Sequence, residues 1–140
     1  MGPNVSRGKR ALMKSFIVHY RLLARAIAWV GMLAIVILSV VPADERPVTG
    51  FGSQLEHVAI FSIVAAAFAV GYEFSTTRLV FLAFVFCGAI ELLQVPLPTR
   101  HARLTDFVID FVASCIGIGL ILFWKRAFGR QIQNEFDESQ

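Results

Sequence analysis

The chain has 140 residues, of which 56% are hydrophobic and 16% charged, and its mean hydropathy is +0.67. A soluble domain of this size covers itself with polar side chains, about a quarter of its residues being charged, so the composition excludes an ordinary water-soluble globule. The formal net charge of +3 and the pI near 9.2 do not point to nucleic acid, because the basic residues flank apolar runs and no nucleic-acid motif accompanies them.

In chain order, residues 1–21 form a basic arm suited to anionic headgroups. Four apolar segments of about 17 to 20 residues follow, each near the length that carries a helix across about 30 Å of hydrocarbon. They run roughly from Leu22 to Val41, Leu55 to Phe74, Leu79 to Val95 and Asp106 to Trp124. Their apolar residues are consecutive rather than alternating, which predicts helices and not the strands of an outer-membrane barrel. The rival for the first segment is a cleaved signal peptide, since Val41-Pro42-Ala43 loosely fits a cleavage site. That apolar stretch and the basic region before it are both long for a signal peptide, so a retained span is expected.

The loop from Pro42 to Gln54 carries Pro42, Pro47, Gly50 and Gly52 and reads as an ordered turn region. The loop near Glu73 to Arg78 is short, which predicts that the second and third spans are antiparallel neighbours. Pro96 and Pro98 stop the third helix, and Thr105 is placed to cap the fourth. Residues 125–140 form a polar tail. Ala65-Ala66-Ala67, Gly71, Gly88 and the Ala113-xxx-Gly117 pair are small enough for close helix packing in lipid.

Orientation follows from the basic residues. Arg7, Lys9, Arg10, Lys14, Arg21 and Arg25 precede the first span, Arg78 lies between the second and third, and Lys125, Arg126 and Arg130 follow the fourth. Opposite them stand only Arg46, Arg100 and Arg103. The positive-inside rule therefore predicts both termini in the cytoplasm. The fold expected is an all-α integral membrane protein, with four transmembrane helices over 22–124 in a compact antiparallel bundle. Trp29 falls too deep in the first span to serve as an interface anchor, whereas Tyr72 and Trp124 lie near span ends. Cys87 and Cys115 belong to no CxxC pair and read as buried small residues.

Against this apolar background a few polar residues gather on the outer side. Glu56 and His57 open the second span, Glu91 and Gln94 close the third, and Asp106 and Asp110 open the fourth. An ionisable group in a span costs roughly 2.5 to 3.5 kcal/mol on insertion scales, so several at one level predict a shared site. Glu91 and Asp110 sit about 6 to 8 Å below the outer helix ends. Spacings of three and four residues put each pair on one helix face. Arg100 and Arg103 hang over this layer and can neutralise it. Asp106 also suits a helix N-terminus, Arg103 an interfacial anchor, and Glu56 and His57 the headgroup level.

The run Glu91-xx-Gln94, Arg100, Asp106-xxx-Asp110-xx-Ala113-xxx-Gly117, preceded by His57 with Phe61 one turn later, resembles the VanZ-like family of small bacterial membrane proteins. That family is named for a protein associated with resistance to the glycopeptide teicoplanin. The resemblance covers about residues 30–124, and its most specific part is the ExxQ helix end with the following arginine loop and Asp-led helix. It implies a multi-pass protein of the bacterial plasma (inner) membrane with a role in the cell envelope or antibiotic resistance. The family pattern has Asp-Lys where this chain has Ser53-Gln54, Asn at Asp110 and Gly at Ala113. No role resting on that lysine carries over.

Three functions are weighed. In the first, the pocket binds a membrane lipid headgroup or lipid-linked cell-wall precursor, with Arg100 and Arg103 on phosphate and Glu56, His57, Glu91, Gln94, Asp106 and Asp110 on the polar groups. In the second, His57, Glu91 and Asp110 are catalytic in acid/base chemistry on a lipid-linked substrate. A divalent metal on those three residues is an option without a local motif, so no cofactor is expected. The third is a small transporter or proton-coupled channel, for which the inner halves of the spans offer no matching polar path.

Overall fold

The computed structural model describes the backbone over 3–41, 53–96 and 104–137, and side chains over 15–41, 55–96 and 104–128. All regular structure among these residues is helical: α1 (Pro3–Val40), α2 (Ser53–Gly71), α3 (Thr76–Gln94) and α4 (Leu104–Asp137). Stretches long and apolar enough to cross a membrane lie at Ser15–Val40, Thr76–Gln94 and Leu104–Phe128. The apolar part of α2, Leu55–Gly71, is shorter at 17 residues, about 26 Å at 1.5 Å per residue. The basic arm and the polar tail are helical continuations of α1 and α4, reaching back to Pro3 and on to Asp137.

Local chemistry sets the helix ends. Ser75 caps α3, its hydroxyl accepting from the Arg78 amide at 3.3 Å, which satisfies one of the free donors of the first turn. Pro96 follows directly on the C-cap residue Val95 of α3, where a residue without an amide hydrogen cannot continue a helix. Because α4 starts at Leu104, Thr105 lies inside the first turn rather than at the cap. Its hydroxyl donates to Asp106 Oδ1 at 3.4 Å instead. The expected turn region at 42–52 lies outside the described residues.

The short connector leaves α2 and α3 in contact, but their shared surface is small. The most extensive pairing joins α2 and α4, followed by α1 with α2 and α3 with α4, while α2 with α3 is the smallest of the contacts among the described residues. His57 meets Asp110 near the start of both helices and Ala69 meets Lys125 further along both, so α2 and α4 run parallel. The short connector joins the ends of α2 and α3, and further along the two helices meet through side chains such as Phe61 and Phe86, whose ring centres lie 6.2 Å apart. Small residues on α4 decide the rest: Ala113, Ser114 and Gly117 are buried, and a methyl group on Gly117 would collide with the Ser62 carbonyl. Close backbone approach of this kind is the usual basis of helix association in lipid.

The interior holds two clusters. One unites Ile35, Phe61, Val64, Cys87, Ile90 and Ala113, and the other Ala65, Ala69, Leu79 and Ile118. Outward positions are apolar as well, Leu23, Val30, Phe81 and Leu120 each being more than half exposed, as suits faces turned to lipid.

Trp29 pairs with Tyr72: its indole Nε1 donates to the Tyr72 hydroxyl at 2.8 Å, which sets the two aromatic side chains beside each other at the C-terminal end of α2.

Candidate functional site

The first turns of α2 carry Glu56 and His57, both half-buried, and the start of α4 carries Asp106 and Asp110. On α4, positions 110, 113, 114, 117 and 118 are all buried, one stripe at helical spacing. That stripe faces α2, and it carries the Asp110 carboxylate into the interface with 3% of its side chain exposed. His57 Nδ1 lies 3.3 Å from Asp110 Oδ1. Burial of an unpaired carboxylate is costly, and the imidazole supplies the partner that makes this position tenable.

Below this pair the interface continues with matched polar groups. The Ser62 hydroxyl donates to the Ala113 carbonyl at 2.9 Å, and Ser114 donates to the Asp110 carbonyl at 2.8 Å. Cys87 Sγ lies 3.9 Å from Ser114 Oγ and ties α3 to the same layer. Phe61, one turn beyond His57, stacks on the imidazole at 6.1 Å between ring centres. Asp106 and Glu56 lie close enough to act electrostatically on His57. The result is a histidine held between an aromatic floor, a buried carboxylate and further acidic groups.

The C-terminal end of α3 adds Gln94, which is buried, and Glu91, which is half-buried. Arg100 and Arg103, expected to cover the acids, lie outside the described residues. His57, Glu91 and Asp110 do not assemble as a metal centre, for no group of three or more His, Cys, Asp and Glu side chains converges among the described residues. Chemically, the arrangement offers hydrogen-bond acceptors on carboxylates and an imidazole oriented through Nδ1, a tautomer-defining contact that leaves Nε2 for other chemistry.

Sequence reasoning passed over Ser62 and Ser114. Each is a polar residue inside an apolar helix, and Ser114 lies four residues after Asp110, the spacing at which a serine bonds back to its own helix. It also passed over the far end of α2. There Arg25 Nε donates to the Gly71 carbonyl at 2.9 Å and Lys125 Nζ to the Ala69 carbonyl at 2.7 Å, so cations from two other helices satisfy the open end of α2. The positive-inside count included both residues without seeing this role.

Comparison with protein-family models, with curated proteins and with solved structures finds no match to the chain.

Proposed function

We propose that this chain is a VanZ-like multi-pass protein of the bacterial plasma membrane, whose outer-leaflet polar pocket binds a lipid headgroup or a polyprenyl-linked cell-wall precursor. The observation that carries the reading is the buried Asp110 carboxylate, joined to His57 across two apolar helices. An acid in such a place costs stability, and intramembrane ionisable groups are functional sites by default. Gln94 and Glu91 at the same end of α3 add amide and carboxylate contacts suited to sugar hydroxyls or peptide amides, and Arg100 and Arg103 in the adjoining loop suit phosphate.

Four spans and cytoplasmic termini belong to this proposal. Support comes from the bias of basic residues and from the packing of α2 against both α1 and α4. The resemblance to VanZ-like proteins adds a role in envelope homeostasis or in resistance to glycopeptides such as teicoplanin. The test is native mass spectrometry of the protein extracted from its membrane as wild type, His57→Ala and Asp110→Asn. A headgroup-bearing lipid or precursor held by the wild type and lost from both folded variants is the expected result. Equal retention by all three would refute the pocket.

A second reading, catalysis on the same lipid-linked substrate, is favoured by one feature. With Nδ1 held by Asp110, the imidazole is oriented as a general acid or base with Nε2 toward the ligand. A species that accumulates in a deletion strain, and stays accumulated when His57→Ala is supplied, would favour turnover over binding alone.

A further inference from the structure

The weak contact between α2 and α3 leaves a crevice of about 490 Å³ on the α1 side of the bundle. Its volume falls within the roughly 300 to 1,000 Å³ of ligand sites. The walls are apolar, built from Met32, Phe61, Phe68, Leu82 and Phe86, with Tyr72 and Phe74 at the end near the α2–α3 turn. The charge around that end is predominantly positive. The Arg25 guanidinium lies 4.7 Å from the centre of the Tyr72 ring and that of Arg78 lies 5.1 Å from the centre of the Phe74 ring. Nearby Arg21 is already paired with Glu73 at 2.6 Å, and Lys125 is committed to the Ala69 carbonyl. Among the described residues neither Arg25 nor Arg78 makes a salt bridge.

We propose that this crevice is a second lipid site, holding an acyl chain of an anionic phospholipid whose phosphate sits on Arg25 and Arg78 at the α2–α3 turn. The apolar walls admit hydrocarbon and the two guanidiniums supply the charge that selects a phosphate with no compensating cation. Arg25 uses Nε on Gly71, which leaves its terminal nitrogens for the phosphate. A helix from a second copy of the chain is the competing occupant. In a two-fold pairing it would bring the same arginines against each other, a like-charge contact that weighs against it. The site requires that the chain lie in lipid; its charged end lies at the opposite end of α2 from the His57–Asp110 pair, although Phe61 borders both.

Trp29 lines the crevice and reports on it. The full chain carrying Trp124→Phe, so that Trp29 is its sole tryptophan, is reconstituted into vesicles of phosphatidylglycerol or phosphatidylcholine with brominated acyl chains. Trp29 quenching is expected to favour phosphatidylglycerol about fivefold per interfacial arginine. Arg78→Ala, at an exposed position in the first turn of α3, should lose about fivefold of that preference, while Ala83→Phe, which fills the crevice, should reduce quenching by both lipids. Equal quenching by the two lipids, or an undiminished preference in Arg78→Ala, overturns the proposal. So does a cross-linked dimer in which Trp29 is shielded from both lipids, which would assign the crevice to a second copy. Asp110→Asn should leave the lipid preference unchanged, so failure of the outer pocket does not masquerade as failure here.

Discussion

His57 Nδ1 stands 3.3 Å from Asp110 Oδ1 although 53 residues separate them. The two meet because α2 and α4 run parallel and close, with Gly117 clearing space for the Ser62 backbone. The polar pair and the small-residue contact are therefore one structural unit, and each can be tested through the other.

Replacing Asp110 alone by Leu leaves the His57 ring without its partner and is expected to cost about 1 to 3 kcal/mol. The double variant His57→Phe/Asp110→Leu removes both polar groups and should recover most of the loss. Thermal unfolding of the four proteins of this cycle in detergent measures the coupling. Additive losses would mean that the pair contributes nothing jointly.

Gly117→Leu forces α2 away from α4 at Ser62 and breaks the hydrogen bond from Ser62 to Ala113. Overpacking on this scale costs about 1 to 3 kcal/mol or more. Gly119→Leu is the control, because nothing lies near that position. Unfolding midpoints in a denaturing detergent should fall for the first variant and stay near wild type for the second.

At the other end of α2, Arg25→Ala and Lys125→Ala each release one carbonyl of the last turn. Each is expected to cost about 1 kcal/mol. Hydrogen exchange should quicken at Gly71, Tyr72 and Glu73 while amides around Phe61 remain protected. Unchanged exchange in both variants would show that water caps the helix equally well.

Glu73 lies outside the helices, and its hydrogen bond to Arg21, helped by the charge of Arg21, holds its carboxyl below the ordinary glutamate value. A group whose acidity is strengthened by folding stabilises the protein above its unfolded value, around pH 4, and loses that contribution as pH falls through the folded value. Stability measured from pH 7 downward should thus fall less steeply near pH 4 in Glu73→Gln than in the wild type. The difference should shrink in high salt, since the carboxylate is exposed. Identical pH profiles would show the ion pair to be inconsequential.

Composition and run length were enough to specify helices of membrane-crossing character, because burying a backbone in hydrocarbon leaves few alternatives to the helix. The spacing of Asp110, Ala113 and Gly117 likewise marked one face of α4 from the sequence alone, since helical periodicity is local. Which helix that face meets was not legible. The short connector after Tyr72 marked α3 as a neighbour of α2, but the most extensive partner of α2 is α4, because backbone approach over Gly117 and Ser62 outweighs a tether that acts at one end. The partnership of His57 with Asp110 and the capping of α2 by Lys125 follow from that choice, while the pairing of Trp29 with Tyr72 and the capping by Arg25 follow from the packing of α1 on α2. Each is a contact between residues far apart in the chain, and only the tertiary arrangement decides which distant groups meet.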